Sequence, residues 1–318
     1  MSDPDDAGND ADAAREAATT REAGARDPQQ APPWEDPRRV LARHGLTPKR
    51  AFSQNFLISE SAVTRIAAAV APALGERVLE LGPGLGTLTG ALLRVGADVV
   101  AIERDRGMIA VLAAEMPRAR VRVIEGDAAE VDYAALATEL CAEDTSSAQL
   151  AVTGNLPYAV TGGILRNLTA ARLHLSRAVV MVQREVRDRM LAEPGTSEYG
   201  ALTVFVQGAF AVTPVLAVPP GAFFPAPKVA SAVVKLVPHA VPRALETPAL
   251  RRLVRAIFDA RRKTLRNALG RVYGQRCADD ALDALGLDPQ LRGETLGVEQ
   301  MAALADALQE PPDGLALT

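Results

Sequence analysis

Residues 77–86 read RVLELGPGLG, and LTGALLR of 88–94 follows as a helix former. An apolar strand (Val78, Leu79, Leu81) runs straight into Gly82, Gly84 and Gly86. Glycines at such a turn let the backbone double back and let a ligand approach without a Cβ in the way. A plain strand–helix turn uses glycine in the same way, so the neighbours decide. Glu80 precedes the glycines on the strand. Glu103 closes the next apolar run, 21 residues after Gly82, where a carboxylate in this architecture meets ribose hydroxyls. Asp127, in Glu125-Gly126-Asp127-Ala128, ends the third run, in position to accept from an adenine amino group. The G-x-G-x-G spacing departs from the dinucleotide form, and no lysine follows it as in a phosphate-binding loop. The ligand implied bears adenosine without a pyrophosphate, and S-adenosylmethionine fits.

Outward from this stretch, short β-branched runs recur at Val78–Leu81, Val99–Ile102, Val121–Ile124, Leu150–Thr153 and Ala178–Val182. Helical patterns at 60–71, 86–95, 106–115 and 160–172 fall before or between them. This alternation implies an α/β fold, Rossmann-like, with a mainly parallel sheet. Two later runs, Ala201–Val212 and Ala232–Val237, lack a crossover helix and read as an antiparallel pair at one edge, making seven strands. No strand candidate follows Pro238, so a small all-α domain is expected. The expected divisions are a disordered acidic tail at 1–37, an α/β domain at 38–239 that holds the S-adenosylmethionine loop and a helical domain at 240–318.

The 318 residues carry a formal net charge of −4, which at face value argues against a nucleic-acid partner. The distribution argues otherwise. Residues 1–37 hold a net of −7, and residues 250–271 (LRRLVRAIFDARRKTLRNALGR) hold +7. On one continuous helix Arg251, Arg255, Arg262 and Arg266 share a face opposite Leu250, Leu253, Val254, Ile257 and Leu265. With Lys263, that excess is better matched to phosphate than to solvent. Arg261 falls on the apolar side, so either the helix breaks near Asp259 or Arg261 is paired. Cys141 and Cys277 lack a Cys-x-x-Cys partner, and three scattered histidines do not suit a metal site. No secretory signal or spanning segment is evident, and a cytoplasmic protein is expected.

Residues 151–158 read AVTGNLPY, and Asn155-Leu156-Pro157-Tyr158 falls where a fourth strand ends. A turn with a packed tyrosine is the bland reading. The chemical one is sharper. An exocyclic adenine amine is a poor nucleophile because its lone pair is delocalised into the ring. Acceptors at the Asn155 side chain and the Leu156 carbonyl would hold its N–H bonds and aim the lone pair at a methyl sulfonium. Pro157 stiffens the segment, and the Tyr158 ring offers a stacking face worth roughly 1–3 kcal/mol to an extruded base.

These motifs, with Phe52-Ser53-Gln54-Asn55-Phe56-Leu57, Val218–Val229 and Arg261–Asn267, occur in the order found in the ribosomal RNA adenine dimethyltransferases, which the chain resembles over about 40–310. The likeness is to the bacterial KsgA type, and it implies a class I S-adenosylmethionine-dependent fold. It further implies dimethylation of two adjacent adenines in a 3′-terminal hairpin loop of 16S RNA, on the 30S subunit, by a monomer without a metal, with S-adenosylhomocysteine as product. By the resemblance, Asn55, Leu57, Gly82 and Gly84 contact the cofactor, Glu103 the ribose and Asp127 the adenine. Asn155 faces both methyl donor and amine, and Phe223 sandwiches the target base against Tyr158. Ser53, where this type has Gly, is shared with the Erm enzymes of 23S RNA. Erm-type methylation and a ribosome-assembly role centred on 30S binding are therefore the alternatives.

Overall fold

The computed structural model describes residues 31–49, 54–143 and 149–308. Residues 1–30 of the expected tail, Phe52 and Ser53 of the N-terminal motif, and residues 309–318 lie outside the described residues. In chain order the elements begin with α1 (Pro37–Arg43), β1 (Phe56–Leu57), α2 (Glu60–Val70), β2 (Arg77–Leu81), α3 (Thr87–Arg94) and β3 (Asp98–Glu103). Then come α4 (Arg106–Glu115), β4 (Val121–Glu125), α5 (Tyr133–Glu143), β5 (Leu150–Asn155), α6 (Thr161–Ala170) and β6 (Leu175–Gln183). They are followed by α7 (Arg184–Met190), α8 (Ala201–Ala209), β7 (Phe210–Val218), β8 (Phe223–Phe224) and β9 (Ser231–Pro238). Four helices close the described chain: α9 (Pro248–Asp259), α10 (Leu265–Tyr273), α11 (Gln275–Ala284) and α12 (Val298–Ala307).

Seven strands form one sheet in the order β4-β3-β2-β5-β6-β9-β7. The first five run parallel; β9 alone is antiparallel to them, and β7, paired antiparallel with β9, runs in the direction of the first five and is reached from β6 through two helices. Helices cover both faces, so the central strands are apolar throughout, and Val78, Leu79, Leu81, Ala151, Val152 and Val180 are all fully buried. The strand order reverses between β2 and β5, and the crevice at that switch point is where such sheets bind ligands. The two strands approach unusually closely there. A Cβ on Gly154 would lie 2.4 Å from the Leu81 carbonyl oxygen.

Two expectations change. The apolar run 201–212 is not a strand. It is helical through Ala209, and the edge strand follows at Phe210–Val218. Buried Thr203, Val204, Val206, Gly208 and Ala209 leave this helix little polar face, and a short all-apolar run carries no period to separate helix from strand. Side chains fix the outcome: Thr203 Oγ1 accepts from Gly200 N at 3.1 Å and donates to the Arg189 carbonyl at 2.6 Å. The tail boundary also moves. Residues 31–36 lie on the body, with Trp34 packed against the apolar cluster of α2 and α3, and Arg94 Nη1 donating to the Pro32 carbonyl at 2.8 Å. Asp36 caps α1 at Arg38 N and Pro37 opens the helix, a local start signal that average composition hides.

The helical unit is amphipathic. Leu250, Leu253, Val254 and Ile257 of α9 are buried with Leu265, Leu269, Leu282, Met301 and Leu304. Its core also takes in Ala192, Tyr199 and Val204, and the Tyr199 hydroxyl donates to the Leu296 carbonyl at 2.9 Å. The unit is thus rooted in residues before position 240.

Gly154→Ala is expected to lower unfolding stability by about 1–3 kcal/mol, because neither backbone can retreat. Gly162→Ala, on the exposed start of α6 with open space around its Cβ position, is expected to raise it by about 0.5–1 kcal/mol. Urea denaturation of the two variants gives the comparison.

Candidate active site

One cavity opens at the switch point. Its walls include Asn55 just before β1 and Leu57 within it, Gly82 and Gly84 from the loop after β2, Glu103 and Arg104 at the end of β3, Asp127 after β4, Asn155 as the last residue of β5, and Leu156, Pro157 and Tyr158 after it. Every expected cofactor residue, and four of the five expected catalytic residues, meet here. Gly82 and Gly84 adopt φ of +66° and +57°, which side-chain-bearing residues rarely do. A Cβ on Gly84 would also stand 3.1 Å from the Phe56 ring.

The Glu103 carboxylate is 7% exposed and fixed by backbone. Its Oε2 accepts from Gly84 N at 3.1 Å, and its Oε1 accepts from Arg104 N at 2.9 Å and Asp105 N at 2.8 Å. Burial raises its pKa against the opposing effect of those N–H groups. Glu80, beneath the loop, is fully buried, and Thr89 Oγ1 donates to its Oε2 at 2.6 Å. Burial pushes the Glu80 carboxyl up to about 7, with the nearby Glu103 adding to the shift. Asp127 is more engaged than expected. Its Oδ1 accepts from Ala129 N at 2.9 Å, and its Oδ2 pairs with Arg104 Nη1 at 2.8 Å. A ligand donor that reached Oδ2 would share it with Arg104, a wall residue that no motif spacing singles out.

At the end of β5, Asn155 Nδ2 donates to the Asn55 carbonyl at 3.1 Å. That bond sets the amide's orientation and leaves Oδ1 as its acceptor. Leu156 is 1% exposed and its N–H goes to the Met181 carbonyl at 3.0 Å. Among the described residues, no hydrogen bond reaches the Leu156 carbonyl. The half-buried Tyr158 is pinned by a 2.9 Å hydroxyl–hydroxyl bond to Ser231 of β9, a partner 73 residues away that local reading misses.

Phe223 does not join this constellation. It is 3% exposed, paired with Leu57 across the short β1–β8 ladder and packed in the apolar cluster with Val63 and Val218. Its ring face is taken up by the core and is not open to a base. Its neighbour Phe224, 38% exposed, is the accessible aromatic of that turn.

The expected basic face also divides. The helix ends at Asp259 and restarts at Leu265, capped by Thr264, so Arg262 and Arg266 do not continue the face of Arg251 and Arg255. Arg266 forms a two-pronged pair with Asp279 at 2.6 and 2.7 Å, and Arg251 stands 3.5 Å from Glu246. Arg255, Arg262 and Lys263 are exposed around the break. Both expectations for Arg261 are met: the helix breaks, and Arg261 is paired with Glu294 and donates to the carbonyls of Thr196 and Tyr199 at 2.7 and 3.1 Å. Among the described residues no cluster of His, Cys, Asp and Glu suits a metal ion, and no helix is long and apolar enough to cross a membrane.

Fold and site together define a class I S-adenosylmethionine-dependent methyltransferase, and solved structures agree. A dimethyladenosine transferase from Plasmodium falciparum superposes with a TM-score of 0.66 at 27% identity, over 78% of this chain and 95% of that one. The 23S rRNA methyltransferase ErmE superposes with a TM-score of 0.56 at 27% identity, over 80% and 99%. Residues 45–310 match the model of the ribosomal RNA adenine dimethylase family, and the chain belongs to that family. The ribosomal RNA small subunit methyltransferase A of Anaeromyxobacter dehalogenans is 46% identical over 280 residues, which is 86% of this chain and 98% of that protein.

The Glu80 carboxyl supplies a pH test. Its folded pKa, about 7, lies above the ordinary 4.5, so the folded state holds the proton more tightly. Stability should therefore fall as pH rises from about 4.5 to about 7, then level off. Glu80→Gln is expected to flatten that fall, as read by thermal midpoints of both proteins across the range.

Proposed function

We propose that the chain transfers methyl groups from S-adenosylmethionine to N6 of two adjacent adenines in a 3′-terminal hairpin loop of 16S rRNA within the 30S subunit. The products are N6,N6-dimethyladenosines and S-adenosylhomocysteine. The observation that carries this reading is the Asn155 amide: its nitrogen is engaged by the Asn55 carbonyl, while the carbonyl of the next residue, Leu156, has no hydrogen-bond partner among the described residues.

The cavity suits the cofactor. Positive-φ glycines leave room for close approach, a Glu103 carboxylate stands at the end of β3, and Asp127 offers acceptors one strand further out. Asn55, Leu57, Gly82 and Gly84 would hold the methionine and ribose portions, and Glu103 and Asp127 the ribose and adenine. When bound, the cofactor supplies an electrophilic methyl group on a sulfonium. The remaining work belongs to this chain. Asn155 Oδ1 and the Leu156 carbonyl accept the two N–H bonds of the target amine, which orients its lone pair for in-line attack. Pro157 holds those acceptors in register, and Tyr158, its hydroxyl tied to Ser231, stacks the extruded base. In this scheme no metal enters, because the methyl group is already activated.

For the RNA we propose the surface around the α9–α10 break, with Arg255, Arg262 and Lys263 as phosphate ligands and Arg251 beside them. Arg266 serves the fold through Asp279. Identity favours the small-subunit substrate over the Erm alternative: 46% to the small-subunit relative against 27% to ErmE. An assembly role is compatible, since binding 30S and methylating it use the same surface. We propose a cytoplasmic monomer.

Labelled methyl transfer to purified subunits tests the substrate. Methyl-deficient 30S should accept label, while 50S and naked DNA should not; label on 23S RNA would overturn the assignment in favour of Erm. Asn155→Ala should abolish transfer while retaining 30S binding. Arg262→Ala with Lys263→Ala should weaken binding and reduce its dependence on log salt by about two phosphate contacts.

A further inference from the structure

Asp105 sits just past the ribose carboxylate and is 2% exposed. Its Oδ1 accepts from Lys49 Nζ at 2.7 Å and, as the cap of α4, from Gly107 N at 2.9 Å. Its Oδ2 accepts from Gln54 Nε2 at 2.8 Å. Gln54 is doubly held, because its Oε1 accepts from Lys49 N at 2.8 Å. Helix capping explains one of the three bonds to Asp105. The other two reach 51 and 56 residues back along the chain, to the segment that leads into Asn55 and Leu57.

Residues 54–57 form a wall of the cavity, and Gln54 and Asn55 are each tied to site residues. Downstream, the Asn55 carbonyl accepts from Asn155 Nδ2 at 3.1 Å. Upstream, Gln54 is joined to Asp105, whose own N–H donates to Glu103 Oε1 at 2.8 Å, while Glu103 Oε2 accepts from Gly84 N. A continuous run of hydrogen bonds therefore passes from Asn155 through the 54–55 segment and Asp105 to Glu103 and the glycine loop. Each carboxylate in it is buried or nearly so, where a hydrogen bond to charge is stronger than in water.

We infer that Asp105 is a positioning residue for the cofactor: through Gln54 and Lys49 it holds the Asn55–Leu57 wall at a fixed distance from Glu103. The inference rests on the methyl-donor reading of the cavity and extends it to a residue that touches neither cofactor nor substrate. Its loss loosens cofactor binding more than chemistry, because Asp105 makes no bond to Asn155 or Leu156 itself and reaches Asn155 only through Gln54 and Asn55.

The test measures S-adenosylmethionine binding by calorimetry and steady-state methylation of 30S, on the full chain. Asp105→Asn keeps a good helix cap but weakens a charge-assisted bond, so Kd and KM for S-adenosylmethionine should rise about tenfold, with kcat within about twofold. Gln54→Glu, which sets two carboxylates face to face, should do the same. The double variant D105N/Q54E exchanges amide and carboxylate and should restore binding to near the wild-type value. A merely structural role would lower the thermal midpoint and leave the ratio of KM to kcat unmoved. If Asp105→Asn fails to fold, Gln54→Glu, at a half-buried position, carries the test by itself. Wild-type binding with both single variants unchanged, or a double variant no better than the singles, would overturn the inference alone. Absence of binding by the wild-type chain would overturn the methyl-donor reading as well.

Discussion

Three backbone N–H groups converge on one buried carboxylate at the end of β3, and the site's geometry depends on that meeting. Gly84, Arg104 and Asp105 donate to Glu103, so the glycine loop, the strand end and the start of α4 are held by a single side chain. Burial alone would favour the neutral acid, and the amides work in the other direction. Without them a carboxylate 7% exposed would be an unbalanced buried charge, and the loop over β2 would lose its fixed edge. The glycine loop and, through Asp105 and Gln54, the 54–57 wall are placed relative to this anchor.

Much of this was legible in the sequence because it is local. The glycine loop, Glu103 and Asp127 sit at strand ends that period and spacing reveal, and Asn155-Leu156-Pro157-Tyr158 follows a strand marked by its apolar run. The parallel order of the central strands follows from their crossover helices, and β9 is visible as the apolar run that ends at Pro238. What escaped is what depends on distant partners. Tyr158 is held by Ser231, Asp127 shares its charge with Arg104, and Lys49 reaches Asp105 across 56 residues. The helix at Ala201–Ala209 was hidden because burial on most sides erases the amphipathic signal.

The arginines illustrate a further limit. A helical wheel assumes one axis, and α9 and α10 do not share one, since Thr264 starts a new helix five residues after Asp259 ends the last. Counting charge also ignores pairing: Arg266 is matched by Asp279 and Arg261 by Glu294. The local excess of base is partly an internal matter of the fold, and what remains for a polyanion is concentrated at a turn. Phe223 repeats the lesson in apolar form, where a motif position alone did not reveal which face of a two-residue strand turns inward.

Ser231, which pins Tyr158, is the first residue of β9, and the other end of that strand leads toward the helical unit. Eight extended residues cover about 26 Å, and β9 is clamped between β6 and β7 along its length. The strand therefore acts as a ruler between the aromatic pocket and the base of the helical unit. On the function proposed above, such a ruler would select by shape: an RNA would engage both ends only if its fold set a reactive base and a phosphate ridge at the matching separation. Discrimination among RNAs would then reside in the length of one strand, with no base read along the way.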